Sequence, residues 1–134
     1  MTTCYIGIGS NLGDRQQNIS KAIGELNSCE NIIFKRSSSI YETEPVSDMP
    51  QGKFLNGVLE IGTDLAPHAL LKELNRIEEK LGRKRTVKNA PRQIDLDILY
   101  YGYDIVEDKD LTIPHPRILE REFVLRGLKE LGRI

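Results

Sequence analysis

Apolar residues recur along the chain with two different periods, and the switches between them outline an alternation of strands and helices. Cys4-Tyr5-Ile6-Gly7-Ile8-Gly9 has the character of a buried first strand, and Ser10-Asn11-Leu12-Gly13-Asp14 follows as a turn. Ile19, Ala22, Ile23 and Leu26 then keep the i, i+3, i+4, i+7 spacing of an amphipathic helix that ends near residue 28. A second strand is expected over 32–42. The prolines, glycine and short polar residues of 43–52 predict a loop, and a third strand covers 54–61. Pro67 opens a second helix and Gly82 closes it, with Leu70, Leu71, Leu74, Ile77 and Leu81 as its buried stripe. A basic segment over 83–90 leads into a fourth strand that runs to Tyr101, and Gly102-Tyr103-Asp104 marks a turn. Residues 111–117 read as an extended piece held by Pro114 and Pro116. A last helix is expected over 118–131, with Leu119, Phe123, Arg126 or Gly127, and Glu130 on one side. The order β-α-β-β-α-β with a further helix predicts an α/β (α+β) fold: a ferredoxin-like βαββαβ sandwich, an antiparallel sheet with helices packed on it and an extra C-terminal helix. That fold by itself specifies no chemistry.

The fourth strand breaks its own pattern. Ile94, Leu96, Ile98 and Tyr100 fall on one face at the two-residue period, while Asp95 and Asp97 fall together on the other. Aspartate is a poor strand former, so two in an apolar strand need a reason. They would sit roughly 7 Å apart at the backbone, from a rise of about 3.3 Å per residue. Their side chains can lean together around a hard cation, and magnesium favours a few carboxylates completed by water and phosphate oxygens. Arg92 offers a planar fork for a phosphate oxygen just before them. Five cations, Arg83, Lys84, Arg85, Lys88 and Arg92, fall within ten residues. Each feature alone also fits a solvated sheet face or surface. Together they have the form of a site for metal-bound polyphosphate.

Other positions stay open on residue type alone. Phe54 and Asn56 share a strand face and could stack on and hydrogen-bond a flat heterocycle, or serve core packing and a turn. Asn75 and Glu78 share part of a helix surface. His115, between two prolines, could simply cap the last helix. The stretch G-x-G-S-N-L-G lacks the ending of a phosphate loop and the spacing of a dinucleotide fingerprint, so Gly7 and Gly9 read as close-packing positions.

At 134 residues, with 39% hydrophobic and 29% charged, the chain reads as a single globular domain over 1–134. A net charge of −1 from 19 basic and 20 acidic residues gives no general case for nucleic acid or an anionic membrane. Phosphate binding must therefore come from locally concentrated arginines. Cys4 and Cys29 form no metal pattern and are expected as reduced thiols. The lack of a secretory apolar region or of an apolar run of about 18 residues predicts a soluble, cytoplasmic protein.

The chain resembles the 6-hydroxymethyl-7,8-dihydropterin pyrophosphokinase family of folate biosynthesis. The resemblance rests on Tyr5-Ile6-Gly7-Ile8-Gly9-Ser10-Asn11-Leu12-Gly13-Asp14, Tyr41-Glu42-Thr43-Glu44-Pro45, Phe54-Leu55-Asn56 and Gly82-Arg83-Lys84-Arg85. It continues through Pro91-Arg92-Gln93-Ile94-Asp95-Leu96-Asp97-Ile98-Leu99, Ile113-Pro114-His115-Pro116-Arg117 and Arg121-Glu122-Phe123-Val124-Leu125, in the family's order and spacing. It implies an ATP-dependent pyrophosphokinase that transfers pyrophosphate from its co-substrate ATP to the hydroxymethyl group of the pterin, releasing AMP, with two magnesium ions (Mg2+). A non-catalytic module that binds ATP or pterin, and a plain interaction domain, are the alternatives.

By the resemblance, Asp95 and Asp97 hold metal, and with Arg83 and Arg92 they form the catalytic set. Phe54 and Phe123 sandwich the pterin, whose polar edge meets Asn56 and the stretch Thr43, Pro45 and Val46. Arg83, Arg85 and Arg92 grip the ATP phosphates, His115 and Arg121 add contacts, and Asn75, Glu78, Ile98 and Thr112 line the nucleotide side. The loops 43–53 and 83–91 would act as lids. The expected partners are the two small substrates, with no nucleic acid or membrane, and the chain is expected as a monomer or weak homo-oligomer. It departs from the family in carrying Asn89-Ala90 where Trp-Gly is common, and in a slightly shorter loop between Arg85 and Arg92. It is also shorter at the C-terminus than typical members, stopping at Ile134, which would bear on stability or self-association more than on chemistry.

Overall fold

A computed structural model of the chain describes residues 1–45, 50–82 and 92–134, and the first strand, β1 (Thr2–Ser10), runs through the middle of its sheet. The other elements are α1 (Arg15–Ser28), β2 (Ile32–Ser37), β3 (Tyr41–Thr43), β4 (Phe54–Thr63), α2 (Pro67–Lys80), β5 (Asp95–Tyr101), β6 (Val106–Glu107), β7 (Thr112–Ile113) and α3 (Glu122–Glu130). The sheet runs β2-β4-β1-β5 with every pairing antiparallel, and β3 adds to β4. With β3 set aside, this is the strand order of the ferredoxin-like sandwich expected from the sequence.

One face of the sheet carries the larger core. Ile6 and Ile8 from β1, Leu59 and Ile61 from β4, and Leu96 and Ile98 from β5 pack against Leu26 of α1 and against Leu70, Leu74 and Ile77 of α2. Each such side chain, fully buried, contributes roughly 1.5–3 kcal/mol, which is why the apolar period dominates the fold. Asp14 caps α1 by accepting from the Gln17 backbone N–H at 3.1 Å. Pro67 opens α2, and Gly82 follows it with φ +97°. Leu71 of α2 and Leu81 just past its end are only half-buried, and Glu78 joins the buried set in their stead. Cys4 lies inside, where burial pushes its thiol up to about 12 and leaves it inert, and Cys29 is half-buried; both are free.

Three sequence expectations change here. The strand expected over 32–42 is broken at Ser38, whose hydroxyl accepts from the Val58 N–H at 2.9 Å and whose own N–H donates to the Val58 carbonyl at 2.8 Å. The side-chain bond turns the corner between β2 and β3. In β5 the register passes from Tyr5↔Tyr100 to Ile6↔Ile98, so Leu99 is an extra, bulged residue. Tyr100 therefore leaves the face of Ile94, Leu96 and Ile98 and meets Tyr5 edge-on, with ring centroids 6.4 Å apart. Finally, the helix expected over 118–131 is a single 3₁₀ turn, Ile118–Glu120, followed by α3, with Arg121 extended between them. Its inward residues are Val124, Gly127 and Leu128, while Leu119 is 84% exposed.

The second face of the sheet is only partly covered. Tyr5, Val58 and Leu99 pack beneath Val124, Leu128 and Leu131 of the last helical segment. That close approach depends on Gly127, where a Cβ would lie 2.5 Å from Cγ2 of Val58. Beyond Phe123 this face is left to form a cleft. No helix among the described residues is long and apolar enough to cross a membrane.

Gly127→Ala should destabilise the protein by about 1–3 kcal/mol, because the stiff Val58 side chain cannot retreat. Gly24 lies on the exposed side of α1 with nothing within 4 Å of its would-be Cβ, so Gly24→Ala should stabilise by about 0.5–1 kcal/mol. Urea denaturation midpoints of the two variants should move in opposite directions.

Candidate active site

The floor of the cleft is made by two missing side chains. Gly9 of β1 lies between Asn56 of β4 and Asp95 of β5, and Gly7 lies between Val58 and Asp97. A Cβ at Gly9 would sit 2.5 Å from the Asn56 Oδ1, so a close approach fixes glycine there. At Gly7 the nearest atom would be 3.5 Å away, on Leu99, an ordinary contact. Phe54 and Asn56 rise on one side of this floor, and Asp95 and Asp97 on the other. Phe123, in the first turn of α3, lines the same space. The cleft encloses about 310 Å³, and a recess of about 20 Å³ reaches past Asp97 to Gly7.

Each aspartate has a cation beside it. Arg92 Nη1 lies 3.2 Å from Asp95 Oδ2, and Arg121 Nη1 lies 3.8 Å from Asp97 Oδ2. All four side chains keep some contact with water, between 20% and 35% exposed, so these pairs are only partly desolvated and can exchange partners. Among the described residues, no set of three or more His, Cys, Asp or Glu side chains could hold a metal ion. The donor set is thus two carboxylates open to solvent. It suits magnesium, which keeps several waters and takes phosphate oxygens, better than a metal that needs a full protein cage.

The walls are tied together by buried amides. Asn11 accepts from the Arg92 backbone N–H at 2.8 Å and returns a bond from its own N–H to the Arg92 carbonyl at 3.1 Å. Its Nδ2 donates to Gln51 Oε1 at 2.6 Å and to the Gly52 carbonyl at 3.1 Å. One side chain therefore fixes both the approach to β5 and the approach to β4. Across the cleft, the Asn56 amide donates to the Thr43 hydroxyl. Beneath β5, Glu78 is 2% exposed and accepts from the Leu96 backbone N–H at 2.8 Å, pinning the strand between its two aspartates.

His115 sits over the bulge, its backbone N–H donating to the Leu99 carbonyl at 3.0 Å and its Nδ1 accepting from the Arg117 N–H at 3.1 Å. Burial holds its pKa below the usual 6.5, with Arg121 and Arg117 adding to the shift and Asp95 opposing it. At neutral pH the ring is uncharged, with its proton on Nε2.

Of the residues singled out in the sequence, Thr43, Phe54, Asn56, Arg92, Asp95, Arg121 and Phe123 surround the cleft, and Asp97 lines its recess. Pro45 is half-buried just past β3. Ile98 lies in the apolar core on the opposite face of β5, Glu78 is buried in α2, Asn75 is half-buried on that helix, and Thr112 is exposed on β7. Val46, Arg83, Arg85 and the Asn89-Ala90 pair lie outside the described residues, as do the whole of the expected 83–91 lid and residues 46–49 of the expected 43–53 lid. Asn11, Glu44, Gln51 and Arg117 were not singled out for this site. Asn11 carried a signal: a polar residue at the end of a buried strand must find partners.

A ferredoxin-like sheet whose half-open face pairs two carboxylates with arginines, opposite an aromatic and amide wall, defines a small α/β protein with a polar cleft on that face. The sequence pattern of 7,8-dihydro-6-hydroxymethylpterin-pyrophosphokinase (HPPK) matches residues 5–133, and the chain belongs to that family. It is 44% identical over 127 residues to the 2-amino-4-hydroxy-6-hydroxymethyldihydropteridine pyrophosphokinase of Bacillus subtilis (strain 168), covering 95% of this chain and 76% of that protein. It is also 44% identical over 128 residues to the folic acid synthesis protein fol1 of Pneumocystis carinii, covering 96% of this chain but only 17% of that one. Among solved structures, an HPPK-DHPS in complex with substrates superposes with a TM-score of 0.71 at 16% identity, over 97% of this chain and 40% of the other. That likeness supports the fold.

The His115 shift has a sign that can be measured. As pH falls through 6.5 the unfolded chain gains a proton that the folded ring resists, so this residue's contribution to stability declines until the folded ring protonates as well. His115→Gln should lose that share of the pH dependence. The difference between variant and parent in denaturation midpoint, measured above and below pH 6.5, reads it directly.

Proposed function

We propose that the cleft on the half-covered face transfers pyrophosphate from ATP to the hydroxymethyl oxygen of 6-hydroxymethyl-7,8-dihydropterin and releases AMP, as a step of folate biosynthesis. Family membership supports the reaction. The observation that carries the site assignment is the convergence of Asp95 and Asp97, each beside an arginine, with Phe54, Asn56 and Phe123 around one glycine floor.

The reaction asks for little covalent work from the protein. The hydroxymethyl oxygen attacks the β-phosphorus, a new P–O bond forms, the bond from the β-phosphorus to the AMP oxygen breaks, and the hydroxyl proton leaves to water. Alignment and charge neutralisation supply most of the rate. Phe54 and Phe123 stack on the pterin ring, and the Asn56 amide, oriented by Thr43, reads its polar edge. Pro45 and Val46 complete that edge by resemblance. Asp95 and Asp97 would hold magnesium, two ions by resemblance. When bound, it would neutralise phosphate charge and lower the pKa of the attacking hydroxyl. Arg92 and Arg121 turn from the aspartates to the phosphates as the nucleotide arrives, with Arg83 and Arg85 joining them by resemblance. Glu78 and Asn11 act through others, holding β5 and Arg92 in place. His115, neutral and over the bulge, contacts the nucleotide by donating from Nε2. Asn75, Ile98 and Thr112 keep a nucleotide-side assignment on resemblance alone.

Asp97→Ala should lower pterin-dependent AMP formation from ATP and magnesium by at least about a hundredfold, with far-ultraviolet circular dichroism unchanged. Phe123→Ala should act on the other substrate, raising the KM for the pterin about tenfold through lost stacking. AMP formation that ignores the pterin, or that survives Asp97→Ala, would refute the assignment.

A further inference from the structure

The helix α3 is fastened to the strand β3 at the end remote from the cleft. Glu130, in its last turn, accepts from the Ser39 backbone N–H at 2.6 Å with Oε2 and from the Tyr41 hydroxyl with Oε1. The Arg126 guanidinium lies 4.2 Å from the centroid of the same Tyr41 ring. Tyr41 and Thr43 point the same way on β3, and Thr43 is the residue that orients the Asn56 amide. Phe123 and Glu130 stand at opposite ends of α3.

A helix this short behaves as a rod, and its close contact with the sheet, Gly127 against Val58, lies between Phe123 and Glu130. That contact is a pivot. A tilt about it along the direction of β3 carries Phe123 toward or away from Thr43, with a lever arm of about 1.5 Å per residue from the pivot. The other anchors at that end reach elsewhere. Arg36 donates to the Leu131 carbonyl at 2.7 Å from β2, and Arg133 donates to the Gly102 carbonyl at 2.6 Å beyond β5. Neither ties α3 to the strand that carries Thr43.

Resting on the pterin assignment above, we infer that Glu130 and Tyr41 form a latch that sets the spacing between Phe123 and the Thr43–Asn56 pair, making Glu130 a positioning residue for the heterocycle. Opening the latch widens the slot for a flat ring and leaves the phosphate side, built on β5 and Arg92, as it was. The latch is solvent-exposed, so its effect is graded.

The test compares Glu130→Ala, Glu130→Gln, Tyr41→Phe and Arg36→Ala by steady-state AMP formation, by pterin titration in the presence of a non-hydrolysable ATP analogue, and by Tm. Glu130→Ala should raise the pterin KM and Kd roughly three- to tenfold, the range open to ordinary hydrogen bonds, with the ATP KM unchanged. Glu130→Gln, whose amide oxygen can accept from the Ser39 N–H while its own N–H donates to the Tyr41 oxygen, keeps both contacts and should stay near the parent. Tyr41→Phe, which removes only one hydroxyl, should fall between and covers the case of a poorly folding Glu130→Ala. Arg36→Ala should lower Tm without moving the pterin KM. The latch is overturned if neither Glu130→Ala nor Tyr41→Phe moves the pterin KM, if Arg36→Ala raises it equally, or if the ATP and pterin values rise together. A parent protein that forms no pterin-dependent AMP would instead strike down the functional assignment, and the latch with it.

Discussion

Two carboxylates on a half-covered sheet face, flanked by a strand that meets them with glycine at both positions, impose the condition that the rest of the molecule meets. Like charges one pleat apart repel and lose hydration, so Asp95 and Asp97 need nearby cations and a strand that cannot shift. Arg92 and Arg121 supply the cations. The fixed strand comes from below, where Glu78 holds the Leu96 N–H, and from the side, where Asn11 clasps Arg92 by two backbone bonds. Gly9, directly between Asp95 and Asn56, keeps the floor low enough for a ligand to reach both walls.

The same condition explains why the sheet is covered so unequally. Its apolar face is closed by α1 and α2 and supplies the bulk of the burial. The other face must be dry at one end and open at the other. The bulge at Leu99 marks the change, ending the run that places Asp95 and Asp97 outward and turning Tyr100 toward Tyr5 beneath the closed end. Gly127 lets α3 settle onto Val58, which stops the helix where Phe123 meets the cleft. On this second face, apolar packing gathers at one end of the sheet, and the Arg92–Asp95 and Arg121–Asp97 pairs stand at the other.

Strands and helices were legible in the sequence wherever burial was one-sided. Ile19, Ala22 and Leu26 on α1 and the alternation in β5 show this, because a repeated apolar face has one solution. Asp95 and Asp97 stood out by the same logic as exceptions to it. What escaped depended on single hydrogen bonds or insertions that leave no period. The Ser38 hydroxyl breaks a strand, Leu99 slips a register, and extended Arg121 divides a helix. Asn11, Gln51 and the Glu130–Tyr41 contact join residues far apart in the chain, and only the fold brings them together. Spacing alone puts Glu78 with Asn75 on a helix surface, yet its carboxylate accepts from a backbone N–H inside the protein.

The most direct test of the central claim is a crystal structure with a non-hydrolysable ATP analogue, magnesium and 6-hydroxymethyl-7,8-dihydropterin bound together. The geometry predicts the pterin ring between Phe54 and Phe123 with its polar edge on Asn56, and magnesium held by both Asp95 and Asp97. A pterin bound outside that slot, or metal held without the two aspartates, would contradict it.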